Sequence, residues 1–113
     1  ELPKPVGEPE VFVIAGNGKG IPVFREMTRL GIPFCTGILH ENDVDFYVAK
    51  NLASDLISVQ AFEEISEESL EKALKAIKKC RRVILANDKI GLSNKRVATL
   101  IEEAQVQGKL ERA

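Results

Sequence analysis

The segment with the clearest chemical potential is a glycine-rich turn, Gly16-Asn17-Gly18-Lys19-Gly20, which follows a short apolar run. Glycine lets a ligand approach the backbone closely, and free N–H groups at the start of a helix attract anions. Lys19 adds a positive charge. The spacing differs from both the Gly-x-Gly-x-x-Gly dinucleotide fingerprint and the P-loop. The turn therefore predicts either a site for a small anionic or nucleotide-like ligand, or a tight turn that packs a helix on a strand.

Two polar loops are predicted to lie beside this turn, at 40–45 and 87–94. Glu41 lies 21 positions after Gly20, and an acidic residue about 20 positions past such a turn can bind ribose hydroxyls. The same loop also suits a helix cap, with Asn42 or Asp43 as the capping residue. Asn87 offers a side-chain amide to a ligand. The predicted ligand-binding residues are Gly16, Asn17, Gly18, Lys19, Gly20, Glu41, Asp43 and Asn87.

No residue set in this chain predicts catalysis, and no metal ligand is assigned, although the carboxylates of the 40–45 loop also suit magnesium or calcium. His40 is the only histidine, and the sequence shows no partner that would make it a general base. Cys35 and Cys80 do not form a C-x-x-C pair, and a zinc site needs about four ligands. We interpret them as two reduced, buried thiols. No cofactor is assigned.

These loops need strands and helices to position them, and the chain alternates between the two. Short apolar runs, which are typical of strands buried on both faces of a parallel sheet, occur at 11–15, 34–39, 56–59 and 83–86. Amphipathic segments follow each run. The fold class predicted is α/β, a Rossmann-like three-layer αβα sandwich with a parallel sheet of four strands, or of five. In such a sheet, ligands bind beyond the carboxyl ends of the strands.

The helix boundaries follow from capping residues. Ser66 is the predicted N-cap of the third helix, and Ser93 or Asn94 that of the fourth. Gly108 is predicted to end the last helix. The second helix is predicted to pack through its apolar residues Val44, Tyr47, Val48 and Leu52.

The length of 113 residues suits a single domain at 10–113, preceded by a proline-rich lead-in at 1–9. A net charge of −1 and an aromatic content of 5% argue against nucleic acid as a partner. No apolar run approaches the roughly 20 residues of a membrane span. The first residue is Glu1 and not Met, so we expect the chain to be part of a longer protein.

Several motifs together resemble an accessory C-terminal domain of prokaryotic ABC transporter ATP-binding proteins of the iron-siderophore and cobalamin uptake type. They are the turn with its following Ile-Pro-Val-Phe-Arg, then Gly-Ile-Pro at 31–33, Gly-Ile-Leu at 37–39, Asn-Asp-Val-Asp-Phe at 42–46 and Ile-Ser-Glu-Glu at 65–68. The resemblance implies a cytoplasmic domain at the inner face of the membrane, whose partner is the ATPase domain of the same parent chain. The Walker A, Walker B and signature motifs are absent, so this piece would not hydrolyse ATP.

Three functional hypotheses remain open at this point. The first is a non-catalytic regulatory or ligand-sensing domain of a metal-chelate ABC importer, as the resemblance implies. The second is a free-standing nucleotide- or dinucleotide-binding module. The third is an interaction domain that pairs through a sheet edge or a helix face, for example as a homodimer.

Overall fold

Strands and helices alternate along the chain in the computed structural model, which describes residues 4–37, 42–57, 65–87, 89 and 94–113. The strands are β1 Val11–Ile14, β2 Phe34–Thr36, β3 Asp55–Leu56, β4 Arg82–Leu85 and β5 Leu110–Arg112. The helices within the described residues are α1 Ile21–Arg29, α2 Val44–Leu52, α3 Glu67–Lys79 and α4 Lys95–Val106. The predicted strand residues 38, 39, 58 and 59 lie outside the described part of the chain.

The strands form one parallel sheet in the order β3-β2-β1-β4-β5. The α/β, Rossmann-like fold class is therefore confirmed, and the five-stranded alternative is the one observed. The central strand β1 is buried along its whole length. Because successive side chains of a strand point to opposite faces, this apolar run supplies both cores of the protein.

Within the described residues, each face of the sheet carries two helices over its own hydrophobic core. On one face, Val11 and Val13 of β1 pack with Phe24 and Met27 of α1 and with Ala49 of α2. On the other face, a second core joins the sheet to α3 and α4 through Phe12, Ile14, Ala73, Ile77, Val97 and Leu100. Helices that follow neighbouring strands therefore lie on opposite sides of the sheet: α1 follows β1 on the first face, and α4 follows β4 on the second.

Capping residues begin and end the helices much as predicted. The Ser66 side chain accepts a hydrogen bond from the Ser69 N–H, and Asn94 accepts from the N–H groups of Arg96 and Val97. Asn94, and not Ser93, is thus the N-cap of α4. Gly31 follows α1 with a φ of +73°, a conformation that glycine adopts without strain.

The inward face of α2 differs in part from the prediction: Val48 and Leu52 pack against the core as expected, but the other two residues do not. Val44 and Tyr47 are 51% and 58% exposed, whereas Asp45 and Ala49 are buried. The helix is rotated so that a carboxylate, rather than two apolar side chains, faces the sheet. The cause is a set of backbone hydrogen bonds to Asp45 at the glycine-rich turn.

The fifth strand lies at the edge of the sheet, where it pairs with β4. Lys109, just before β5, donates from Nζ to the carbonyl oxygens of Ile77, Lys78 and Cys80 at 2.6, 3.1 and 2.7 Å. These carbonyls are at the C-terminus of α3, where backbone acceptors lack partners within the helix and a cation is favourable. The chain end therefore both extends the sheet and caps a helix.

We predict that Lys109→Met lowers the free energy of unfolding by about 1–3 kcal/mol, because charge-assisted hydrogen bonds to three helix-terminal carbonyls are lost. Methionine retains the apolar stem of lysine. Urea denaturation measures the change, with Lys78→Met on the exposed surface of α3 as the control. Equal losses in both variants would show that the cap contributes nothing.

Candidate functional site

The glycine-rich turn connects β1 to α1 at the carboxyl end of the sheet. The φ values of Gly16, Asn17 and Gly18 are +143°, +54° and +80°. Residues that carry a Cβ rarely adopt such positive φ values. Gly20 has an ordinary φ, but a Cβ there would lie 2.4 Å from the Ala15 Cβ and 2.9 Å from the Phe24 Cζ. The glycines are thus required by the shape and packing of the turn itself.

Two aspartates from the start of α2 fill the inside of this turn. The Asp45 Oδ2 accepts hydrogen bonds from the N–H groups of Gly16 at 2.6 Å and Gly20 at 3.1 Å. The Asp43 Oδ2 accepts from the Asn17 N–H at 3.2 Å. The Asp43 Oδ1 accepts from the Asp45 N–H at 3.1 Å, which caps α2. The backbone donors that sequence reasoning offered to an anionic ligand therefore bind carboxylates of the chain itself.

Asp45 is fully buried, which is unusual for an aspartate. Burial raises the pKa of its carboxyl group above the ordinary value of 3.8, and the charge of Asp43 adds to this rise. The backbone hydrogen bonds from Gly20, Gly16 and Gly18 act in the opposite direction, because they stabilise the carboxylate. The Asp45 Oδ1 has no hydrogen-bond partner within the described residues.

Asn87 connects the turn to the loop that follows β4. Its side chain is 6% exposed, and its Nδ2 donates to the Gly16 carbonyl oxygen at 3.2 Å. Its Oδ1 accepts from the Lys89 N–H at 3.2 Å. Since β1 and β4 are neighbours at the point where the strand order reverses, this bond spans the switch point of the sheet.

The structure brings six of the eight predicted site residues into one cluster: Gly16, Asn17, Gly18, Gly20, Asp43 and Asn87. Lys19 belongs to the same turn and its side chain is exposed. Glu41, like His40 and Asp88, lies outside the described residues. Among the residues described, no group of three or more His, Cys, Asp or Glu side chains could hold a metal ion.

Sequence reasoning missed Asp45 as the centre of the cluster. The prediction that α2 packs through its apolar residues included Val44 and Tyr47, which are in fact exposed. A signal was nevertheless present, because Asp45, Ala49 and Leu52 have the i, i+4, i+7 spacing of one helical face. Burying Ala49 and Leu52 on that face brings Asp45 inward with them.

This arrangement defines the class of protein: a parallel α/β domain of Rossmann-like topology with a polar cluster at its switch point. The chain belongs to the MJ0874 family, whose sequence model matches residues 34–110. It is 38% identical over 68 residues to the uncharacterized protein MJ0874 of Methanocaldococcus jannaschii, a match that covers 60% of this chain and 73% of the relative. No solved structure matches the chain. Asp43, Asp45 and Asn87 lie inside the matched range, and the glycine-rich turn precedes it.

The comparison overturns the resemblance to an ABC transporter accessory domain. The relative is a small protein, of which the 68 matched residues make up 73%, and nothing connects it or its family to ABC transporters or to iron or cobalamin uptake. The opening of that set of motifs, a strand followed by a glycine-rich turn and a helix, is shared by many Rossmann-like domains. The expected ATPase partner and the expected location at the inner face of the membrane rested on that resemblance, so nothing now supports them. Among the described residues, no helix is long and apolar enough to cross a membrane.

We predict that Asp45→Ala lowers the free energy of unfolding by about 2–5 kcal/mol, because two buried N–H groups lose their acceptor. Asp45→Asn should cost less, since its side-chain oxygen can still accept. Chemical denaturation checks both, with Asp55→Ala as the control at an exposed aspartate. An equal loss in the Ala and Asn variants would contradict the role of the acceptor oxygen.

We also predict a pH dependence of stability from the raised pKa of Asp45. As pH rises above about 4, the unfolded chain releases this proton before the folded chain does, so stability falls with pH across that window. Below the window the carboxyl group is protonated in both states. The measurement is the unfolding free energy of the wild type minus that of Asp45→Asn, from pH 3 to 8. A difference that increases with pH would contradict the direction of the shift.

Proposed function

We propose that this chain is a non-catalytic domain that binds a small ligand between the loops that follow β1 and β4. The observation that carries the proposal is the hydrogen bond from Asn87 to the Gly16 carbonyl, which joins the two loops at the reversal of strand order. In open α/β sheets, this is the position where ligands bind.

The layer arrangement is the one that forms a ligand crevice in open α/β sheets. After β1 the chain crosses to α1 on one face, and after β4 it crosses to α4 on the other face. In open α/β sheets, connections that leave neighbouring strands toward opposite faces make room for a ligand between them. Here the buried Asn87 side chain, at the end of β4, donates to the Gly16 carbonyl oxygen and so joins the two connections where they begin.

The chemistry of the ligand follows from which groups remain available. The N–H groups of Gly16, Asn17 and Gly20 already donate to Asp45 and Asp43, so they do not serve a phosphate. The exposed residues at the same edge include Asn17 and Lys19 of the turn and Lys89 after β4.

Among these exposed groups are the ammonium groups of Lys19 and Lys89. They favour an anionic or nucleotide-like ligand whose negative charge stays at the mouth of the crevice. Binding through two exposed charges also makes the affinity sensitive to salt.

A ligand panel tests the proposal. We expect at least one of AMP, ATP, NAD, NADP or coenzyme A to raise the melting temperature, because a ligand present at 100 times its Kd stabilises a protein by about 2.7 kcal/mol. At low ionic strength Lys19→Glu should reduce the shift, whereas Lys78→Glu, the same charge reversal on exposed α3, should not.

The same panel judges the alternative of a nucleotide- or dinucleotide-binding module. A response to dinucleotides alone, unaffected by Lys19→Glu, would favour that alternative. No response to any compound would overturn ligand binding of this class at the crevice.

A further inference from the structure

The two cysteines of the chain lie side by side. Cys35 is in the middle of β2, and Cys80 connects the end of α3 to β4. Both are buried and free, as the sequence analysis predicted, and their Sγ atoms are 3.9 Å apart. The two cysteines are far apart in the sequence, so they do not form a C-x-x-C motif that would predict their proximity. It takes no part in the cluster around Asp45.

Both cysteines line a groove of about 780 Å³. Lys72, Lys75 and Lys79 border it from α3, and the carboxylates of Glu8 and Asp55 border it as well. Lys72 also lies 3.4 Å from Glu68 in an exposed ion pair. The groove therefore presents ammonium and carboxylate groups together, with an excess of positive charge. A zwitterionic molecule with surplus carboxylates matches this lining.

The two sulfurs are chemically unequal. The hydrogen bond between them lowers the pKa of Cys80, and the positive charge of Lys109 lowers it further. The same hydrogen bond, together with burial, raises the pKa of Cys35. Because the cation Lys109 lies near Cys80 and the carboxylate of Asp55 lies near Cys35, we assign the first attack to Cys80 and the second to Cys35.

We propose that Cys35 and Cys80 form a redox-active dithiol, and that the groove beside them binds a low-molecular-weight disulfide bearing carboxylate and amino groups. The disulfide is the oxidant, and the dithiol is the reductant. This function is independent of the ligand site at the switch point, because the groove borders the residues that precede β1 and β4.

The reaction balances in two exchange steps. The Cys80 thiolate attacks one sulfur of the disulfide, a bond forms between Cys80 and that half, and the other half leaves as a thiolate. The Cys35 thiol then loses its proton to the released thiolate and attacks the Cys80 sulfur. The second half leaves as a thiolate, which takes up the proton released by Cys80. One disulfide thus becomes two thiols as the protein dithiol becomes a disulfide.

The geometry allows the second step with little rearrangement. A disulfide bond is about 2.05 Å long, so the two sulfurs must approach by about 1.9 Å from their present separation. Rotation of a cysteine side chain about its Cα–Cβ bond moves Sγ over that range.

Oxidised glutathione, which carries both carboxylates and amines, is the probe for the first experiment. We expect the folded protein to lose two hydrogen atoms in mass and both of its alkylatable thiols. Cys35→Ala should stop at a mixed disulfide on Cys80, whereas Cys80→Ala should form its adduct about tenfold more slowly. Thiols that stay alkylatable in the wild type, or equal behaviour of the two variants, would overturn the proposal.

A second experiment tests the groove without altering the core, so it does not depend on the cysteine variants folding. Lys75→Glu should slow the reaction with oxidised glutathione about tenfold, and Lys78→Glu, a matched change on the same helix outside the groove lining, should not. With cystamine, a dication, Lys75→Glu should not slow the reaction. Equal effects of the two lysine variants, or equal slowing with both disulfides, would overturn recognition in this groove.

Discussion

The architecture at the carboxyl end of the sheet depends on one buried carboxylate. Asp45 joins the start of α2 to both ends of the turn between β1 and α1, through the N–H groups of Gly16 and Gly20. A charge in this position is costly unless hydrogen bonds compensate it. Here the compensation comes from backbone donors at the beginning of α1, where the helix dipole also favours a negative charge. The structure thus places an internal anion where related folds place a ligand phosphate.

This interaction sets the orientation of α2 and the conformation of the turn at the same time. With Asp45 fixed inside, Ala49 is directed into the core while Val44 and Tyr47 are directed to the solvent. In the turn, three successive positive φ angles aim amide groups inward, and only a residue without a side chain fits at Gly20. Neither segment would adopt its conformation for local reasons alone, since each satisfies polar groups of the other.

The sequence predicts the architecture well because apolar runs and capping residues are local signals. The strands at 11–14 and 82–85 and the caps Ser66 and Asn94 follow from composition and spacing. The fifth strand carries no such signal: Leu110–Arg112 is short and exposed, and it is held by pairing to β4 and by the 2.6 Å contact of Arg82 with Glu111.

The proximity of Asp43 and Asn87 to the turn follows from topology, but the central role of Asp45 arises from tertiary hydrogen bonds. The proposed transporter kinship was wrong because motifs shared by many α/β folds do not identify a family.

An internal anion changes what the switch point can recognise. A phosphate that sought the Gly16 and Gly20 N–H groups would have to displace Asp45, and with it the first turn of α2. The released carboxylate would then repel the incoming charge. A ligand of the proposed kind would leave these hydrogen bonds in place only if it kept its charge near the exposed Lys19 and Lys89. Such contacts with exposed charges contribute little affinity in salt. Because its N–H groups donate to Asp45 and Asp43, the glycine-rich turn determines the shape of this end of the sheet rather than offering free donors, and Asn87 joins it to the end of β4.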